Sequence, residues 1–265
     1  STSFFKEGAS LPRILARLHG AKNELRQRTV HNNLGALYTQ PHPIACLAYA
    51  LFIKENPNHL GHGADALPRE ATLQLEYESV HAMIDLYHGN HNNLTGYITT
   101  GGSEGNIFMT WLGKTYLKDH GCHDNFSMLT TSITHYSLNK AARVCGVSCI
   151  TVGLNNKTWT MDIAHFEKKV RQLYQDGIRG IMVPVTLGYT VTGTCDDVDE
   201  LSRISLALQK DLKGLKLFLW IDAAMQGLVA PFTSDFHPFS SNIQGIVVDF
   251  HKFGQTPYPA GFVLY

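Results

Sequence analysis

The chain has 265 residues, 44% hydrophobic and 17% charged, with 23 Gly and 10 Pro, an ordinary globular composition long enough for a large core. Its 22 basic and 22 acidic residues cancel, so no overall field draws it to nucleic acid or to a membrane surface. The longest apolar run, Ile44 to Ile53, is about half a membrane span. The 14 histidines are scattered without HExxH or paired Cys/His spacing, so no metal site is expected. Five cysteines, Cys46, Cys122, Cys145, Cys149 and Cys195, are odd in number and form no CxxC; they read as reduced, mostly buried thiols of a cytoplasmic protein. The chain opens on Ser with no signal-peptide pattern and reads as a trimmed or excerpted piece.

Leu11 to Arg28 carries apolar residues at helical spacing among many charges. A polar stretch with Asn32-Asn33-Leu34-Gly35 and Pro41-His42-Pro43 follows, and Pro43 suits the first turn of an apolar helix ending near Ile53. Asn56 to Gly63 reads as a loop, and Pro68 as the start of a helix whose Leu75, Val80, Met83, Ile84 and Tyr87 share a face; His88-Gly89-Asn90 stops it.

From Gly96 the rhythm changes to short β-prone runs alternating with helices. Strands are expected at Tyr97–Thr99, Phe126–Leu129, Cys149–Val152, Gly180–Pro184, Leu217–Ile221, Gly245–Val248 and Gly261–Leu264, the last a hairpin neighbour of its predecessor. Helices are expected at Glu104–Leu117, Tyr136–Val144, Asp162–Tyr174 and Asp196–Lys210. The pattern predicts an α/β fold, a mostly parallel seven-stranded sheet with helices on both faces. Ligands of such sheets gather outside the carboxyl ends of the strands.

Four features fall just there. Thr99-Thr100-Gly101-Gly102-Ser103-Glu104-Gly105-Asn106 offers bare backbone N–H groups, a hydroxyl and a helix N-terminus, which suit a phosphate; a plain capped turn has the same look. His135, in Thr134-His135-Tyr136-Ser137, either stacks on a flat cofactor or simply leads a helix. Asp222 closes the apolar run Leu219-Trp220-Ile221, where a carboxylate needs a cation or strong hydrogen bonds, while Ala224 leaves room for a ring. A turn-capping Asp is the plain alternative. Lys252 follows a strand and is flanked by Phe, a placement that favours a desolvated, nucleophilic amine over a solvated surface charge.

Phosphate turn, imidazole, strand-end Asp and lysine, in that order, resemble the fold-type I pyridoxal 5'-phosphate (PLP) enzymes, specifically the group II amino-acid decarboxylases. These include histidine, serine, tyrosine/aspartate and glutamate decarboxylases, and sphingosine-phosphate lyase is a relative. Gly96 to Asn106, His135-Tyr136-Ser137, Asp222-Ala223-Ala224, His251-Lys252 and Pro257-Tyr258-Pro259-Ala260-Gly261 carry the likeness, which runs from about Asn56 to the last residue. The resemblance implies a PLP transferase-like large domain of the aspartate aminotransferase type over 56–265, after an N-terminal helical segment over 1–55. It implies that Lys252 carries PLP as a Schiff base, Asp222 pairs with the pyridinium nitrogen, and His135 and Ala224 face the ring from opposite sides. It further implies that Gly102 and Ser103 hold the phosphate with His251 nearby.

Leu187-Gly188-Tyr189-Thr190-Val191-Thr192-Gly193 stands where the family shows Gly-Thr-Thr-x-x-Gly, so Thr190 could touch the cofactor, while Tyr189 departs from the pattern. Asp249 replaces a Ser or Asn of some members and would repel a phosphate if it pointed inward, although other members carry Asp. The activity implied is decarboxylation of an L-amino acid by a homodimer with its active site at the interface. Retro-aldol carbon–carbon cleavage of the sphingosine-phosphate lyase type and a catalytically silent PLP-binding subunit are the alternatives. Family members continue into a smaller C-terminal domain that often supplies an Arg for the substrate carboxylate, whereas this chain stops at Tyr265.

Overall fold

A computed structural model describes residues 10–30, 39–55, 71–122 and 126–265. The expected loop at Asn56–Gly63 and helix start at Pro68 lie outside these residues, as does the turn at Asn32–Gly35. The chain divides into two units, Ser1–Tyr38 and Thr39–Tyr265. Within the first, α1 spans Leu11–Val30, and its Leu11 and Leu18 are exposed.

The second unit runs α2 (Pro43–Phe52), α3 (Ala71–Leu86), β1 (Gly96–Thr99), α4 (Gly102–Asp119), β2 (Phe126–Thr131), α5 (Tyr136–Cys145), β3 (Ser148–Val152), α6 (Ile163–Gln175), β4 (Gly180–Thr186) and α7 (Val198–Asp211). Then come β5 (Lys216–Asp222), the short α8 (Ala230–Thr233), a 3-10 turn at Pro238–Ser240, β6 (Ile246–Asp249) and β7 (Gly261–Leu264). The seven strands form one sheet in the order β1-β7-β6-β5-β4-β2-β3. β2, β3, β4, β5 and β6 pair in parallel, and β7 runs antiparallel between β1 and β6. The mostly parallel α/β sheet expected from the alternation is therefore present. The β6–β7 neighbour pairing also holds, and β7 additionally pairs with β1.

The period of two along the central strands sends side chains alternately to two cores. Ile181, Val183 and Val185 of β4, with Leu217, Leu219 and Ile221 of β5, pack with Phe166 and Val170 of α6 and Leu201 and Leu208 of α7. Met182, Phe218 and Trp220 point the other way, into a second cluster with Met109 and Leu117 of α4 and Leu138 and Ala142 of α5. Helices thus cover both faces, which is why these strands read as unbroken apolar runs. Gly105 lets α4 approach the sheet: a Cβ there would stand 2.6 Å from Val247 Cγ1.

Two expectations need correction. The cysteines are free but not mostly buried: Cys122 is buried, while Cys46 and Cys149 are exposed. Cys46 lies on α2, none of whose residues is buried, and Cys149 on β3, the edge strand. The helix expected from Asp196 begins instead at Val198, capped by Asp197, whose side chain accepts the Glu200 N–H. Asp196 is buried and serves the interior. Its carboxylate accepts the N–H groups of Met161 (2.7 Å) and Thr186 (2.9 Å) and the Tyr189 hydroxyl (3.0 and 3.1 Å). Burial raises the proton affinity of Asp196 against those three donors, and desolvation followed by the Asp196 charge raises that of Tyr189.

Candidate active site

The carboxyl ends of β1, β2, β4, β5 and β6 surround one cavity of about 290 Å³. Every residue singled out from the sequence lines it: Gly102 and Ser103 after β1, His135 after β2, Thr190 after β4, Asp222 and Ala224 at the end of β5, and His251 and Lys252 after β6. The convergence follows from parallel strands, each of which delivers its C-terminal loop to the same edge.

The turn after β1 is built on glycine. Gly101 caps α4 at φ 134°, a conformation closed to most side chains, and, having no side chain of its own to cap with, it gives its N–H to the Thr99 hydroxyl at 3.3 Å. Ser103 therefore lies inside the first turn and is not the cap. Glu104 reaches back to accept both the N–H and the hydroxyl of Thr100 (2.8 and 2.7 Å), fixing the entry to the helix.

His135 leads a helix, the plainer of the two readings, and it also faces the cavity. It caps α5, with Nδ1 accepting the Ser137 N–H at 3.3 Å, and its ring borders the cavity. Burial, helped by the charges of Lys252 and Lys140 and opposed by Asp222 and Asp249, holds its imidazole below the ordinary 6.5. A neutral ring with Nδ1 accepting carries its proton on Nε2.

Asp222 is 5% exposed, and burial raises its proton affinity. Hydrogen bonds from the Asn106 amide and the Ala224 N–H, and the positive charge of Lys252, oppose that rise. Asn106 closes the glycine-rich stretch, but nothing in its local sequence marks it as the centre of a network. It donates through Nδ2 to Asp222 Oδ2 (2.9 Å) and Ser137 Oγ (3.1 Å), and its Oδ1 accepts the Trp220 indole N–H (3.1 Å). An indole can only donate, so the amide orientation is determined. Ser137 Oγ, receiving from Asn106, is left to donate to His135 Nδ1 at 2.8 Å. One amide thus positions both the strand-end carboxylate and the imidazole. Asn106→Ala should cost about 1–3 kcal/mol, because the buried indole N–H and the carboxylate each lose a partner; urea unfolding of mutant and wild type measures it.

Lys252 is mostly covered, its side chain 18% exposed, with Nζ 3.0 Å from Asp249 Oδ2. Its backbone carbonyl accepts the Thr39 hydroxyl at 2.6 Å, a latch from the N-terminal side of the unit that sequence proximity gave no reason to seek. Of the flanking phenylalanines, Phe250 packs against the core and Phe253 is exposed. Tyr189, although it borders the cavity, turns its hydroxyl to Asp196 and Thr131, so the departure from the Thr pattern serves the interior.

An α/β domain with an anion-receptive glycine turn, a buried strand-end carboxylate and a covered lysine on one cavity is the class of protein defined here. The family model for the pyridoxal-dependent decarboxylase conserved domain matches residues 65–264, and the chain belongs to that family, whose cofactor is pyridoxal phosphate. A probable L-tyrosine/L-aspartate decarboxylase of Methanosarcina acetivorans is 32% identical over 98% of this chain. The tryptophan decarboxylase of Clostridium sporogenes is 28% identical over 78% of the chain and 51% of its own length. The chain spans 64% of the length of the Methanosarcina relative. Among solved structures, L-methionine decarboxylase of Streptomyces sp. 590 superposes with TM-score 0.81 at 16% identity, covering 99% of this chain and 69% of that one. The sphingosine-1-phosphate lyase of Burkholderia pseudomallei gives TM-score 0.77 at 21% identity, covering 100% of this chain and 60% of that one. These two likenesses concern the fold.

The residues present fit the cofactor. Asp222 is a buried carboxylate that feels the charge of Lys252 but forms no ion pair among the described residues, and a protonated pyridine would supply that partner. Beside it on β4, Thr186 also lines the cavity, and its buried Oγ1 finds no hydrogen-bond partner among the described residues. Such an orphan is costly unless a ligand satisfies it.

Proposed function

We infer that this chain is the cofactor-binding part of an L-amino-acid decarboxylase, with Lys252 as the amine that holds the cofactor's aldehyde covalently. The observation that carries the reading is the meeting of Lys252, Asp222 and neutral His135 on one cavity. When bound, pyridoxal phosphate supplies an electron sink for the charge left at Cα as carbon dioxide departs.

The protein's own groups do the rest. Asp222, oriented by Asn106, would keep a proton at the ring nitrogen. His135, uncharged and held by Ser137, would lie flat on one ring face, with the small Ala224 on the other. Gly102 and Ser103, in the first turn of α4, would receive the phosphate, with His251 close by and Thr190 at the rim. The cavity walls would orient the Cα–carboxylate bond so that its electrons can flow into the ring.

Residues 56–265 would form the cofactor domain and 1–55 a helical segment. A homodimer is supported by α2, whose Ile44, Leu47 and Leu51 are exposed. A reducing, cytoplasmic setting fits five free cysteines.

The relatives' names point to tyrosine, aspartate, tryptophan and methionine, so substrate choice calls for a screen. Full-length protein with added pyridoxal phosphate, assayed over the twenty amino acids, should release carbon dioxide from at least one. Aldehyde release from a phosphorylated amino alcohol, without carbon dioxide from any amino acid, would replace this reading with carbon–carbon lyase chemistry of the retro-aldol kind.

A further inference from the structure

Asp249 stands at the carboxyl end of β6, and its side chain points inward, 6% exposed. Oδ1 accepts the Gly102 N–H at 2.5 Å, and Oδ2 lies 3.0 Å from Lys252 Nζ and 3.8 Å from His251 Nε2. A Cβ built on Gly102 would meet both oxygens, at 3.1 and 3.3 Å. Gly102 opens α4, so its N–H belongs to the positive end of the helix dipole. The carboxylate therefore rests on the groups that suit a phosphate: a helix-opening N–H, an ammonium and an imidazole.

We propose that Asp249 is an internal anion that competes with the cofactor's phosphate for this corner of the cavity, and so sets how strongly the chain prefers the phosphorylated aldehyde over the unphosphorylated one. The proposal rests on the cofactor reading above. One N–H cannot serve two anions at full strength, and two anions sharing a buried corner repel. Either Asp249 swings off Gly102 when phosphate arrives, or the phosphate settles for Ser103 and His251. In both cases the negative charge at position 249 weakens phosphate binding. The same charge also holds Lys252, but that pairing acts equally on any aldehyde the lysine meets. The ratio of phosphorylated to unphosphorylated binding isolates the competition.

Asp249→Asn keeps the size and an oxygen for Gly102 while removing the charge; Asp249→Ser is shorter and serves as a second variant. Cofactor-free full chain of each, checked for a cooperative melt, is titrated with pyridoxal phosphate, with pyridoxal, and with inorganic phosphate, following intrinsic tryptophan fluorescence and melting temperature. The expected result is a rise of about tenfold in the ratio of pyridoxal phosphate to pyridoxal affinity, the size of one charge-assisted hydrogen bond regained. A larger melting shift from inorganic phosphate in the variants should accompany it. A ratio that is unchanged or lower in both variants overturns the proposal while leaving the cofactor reading in place. Failure of every protein, wild type included, to bind either aldehyde removes the cofactor reading and this inference with it.

Discussion

Lys252→Ala should abolish covalent retention of pyridoxal phosphate and lower turnover by about 10⁴-fold or more, the scale reached when a catalytic nucleophile is deleted. The loop should survive the change, because the Thr39 latch grips the Lys252 carbonyl and leaves the side chain free of that task. What the variant loses is the ammonium 3.0 Å from Asp249 and, on the proposed assignment, the amine that bonds the cofactor's aldehyde. Borohydride reduction followed by peptide mass analysis reads the outcome directly. Wild type should gain the reduced cofactor on the peptide containing position 252, and the variant should gain it nowhere. Cofactor mass trapped on another lysine of the variant would refute the assignment.

Asp222→Ala should retain the cofactor, through Lys252 and the glycine turn, yet lose about 10³–10⁴-fold in turnover, because nothing then holds a proton on the ring nitrogen. The stability of the cofactor-free protein should move the other way in Asp222→Asn. Burial places the folded-state proton affinity of Asp222 above that of the unfolded chain. Its contribution to stability is therefore fully present at acid pH, below the unfolded value, and is lost as pH rises through the folded one. Removing the ionisable group should flatten that loss, so cofactor-free Asp222→Asn should melt higher than wild type at neutral pH and show a weaker pH dependence. A variant that melts lower at every pH would show that the carboxylate's hydrogen bonds to Asn106 and Ala224 outweigh its desolvation. Stability given up at an active site is expected where a charge must await a ligand.

Much of the site could be read from the chain because parallel α/β architecture turns order into place. Once strands and helices alternate, the residues at the carboxyl ends of the parallel strands are directed to one edge: Gly102, His135 and Lys252 follow strands, and Asp222 closes β5. Asp196 shows the limit of such reading. Local spacing made it a helix opener, but Asp197 caps the helix and Asp196 is drawn inward by N–H groups 35 and 10 residues away. Asn106 is a second case. Its value comes from Trp220 and Asp222, more than a hundred residues downstream, and no local period encodes such partners. The exposed Cys46 and Cys149 are a third, since an apolar neighbourhood in sequence does not tell an edge strand or an uncovered helix from a central one.

The amino-acid sequence alone determined the element types, the alternation that makes the sheet mostly parallel, and which residues meet at its carboxyl edge. These depend on short-range periodicity and on the handed geometry of strand–helix–strand units, both of which are local. Only the tertiary structure decided that β7 runs antiparallel between β1 and β6, that Asn106 orients Asp222 and, through Ser137, His135, and that Asp249 turns inward onto Gly102. Hydrogen bonds across more than a hundred residues arise when separate segments are packed together, and a side chain's direction is chosen by the partners that packing brings within about 3 Å.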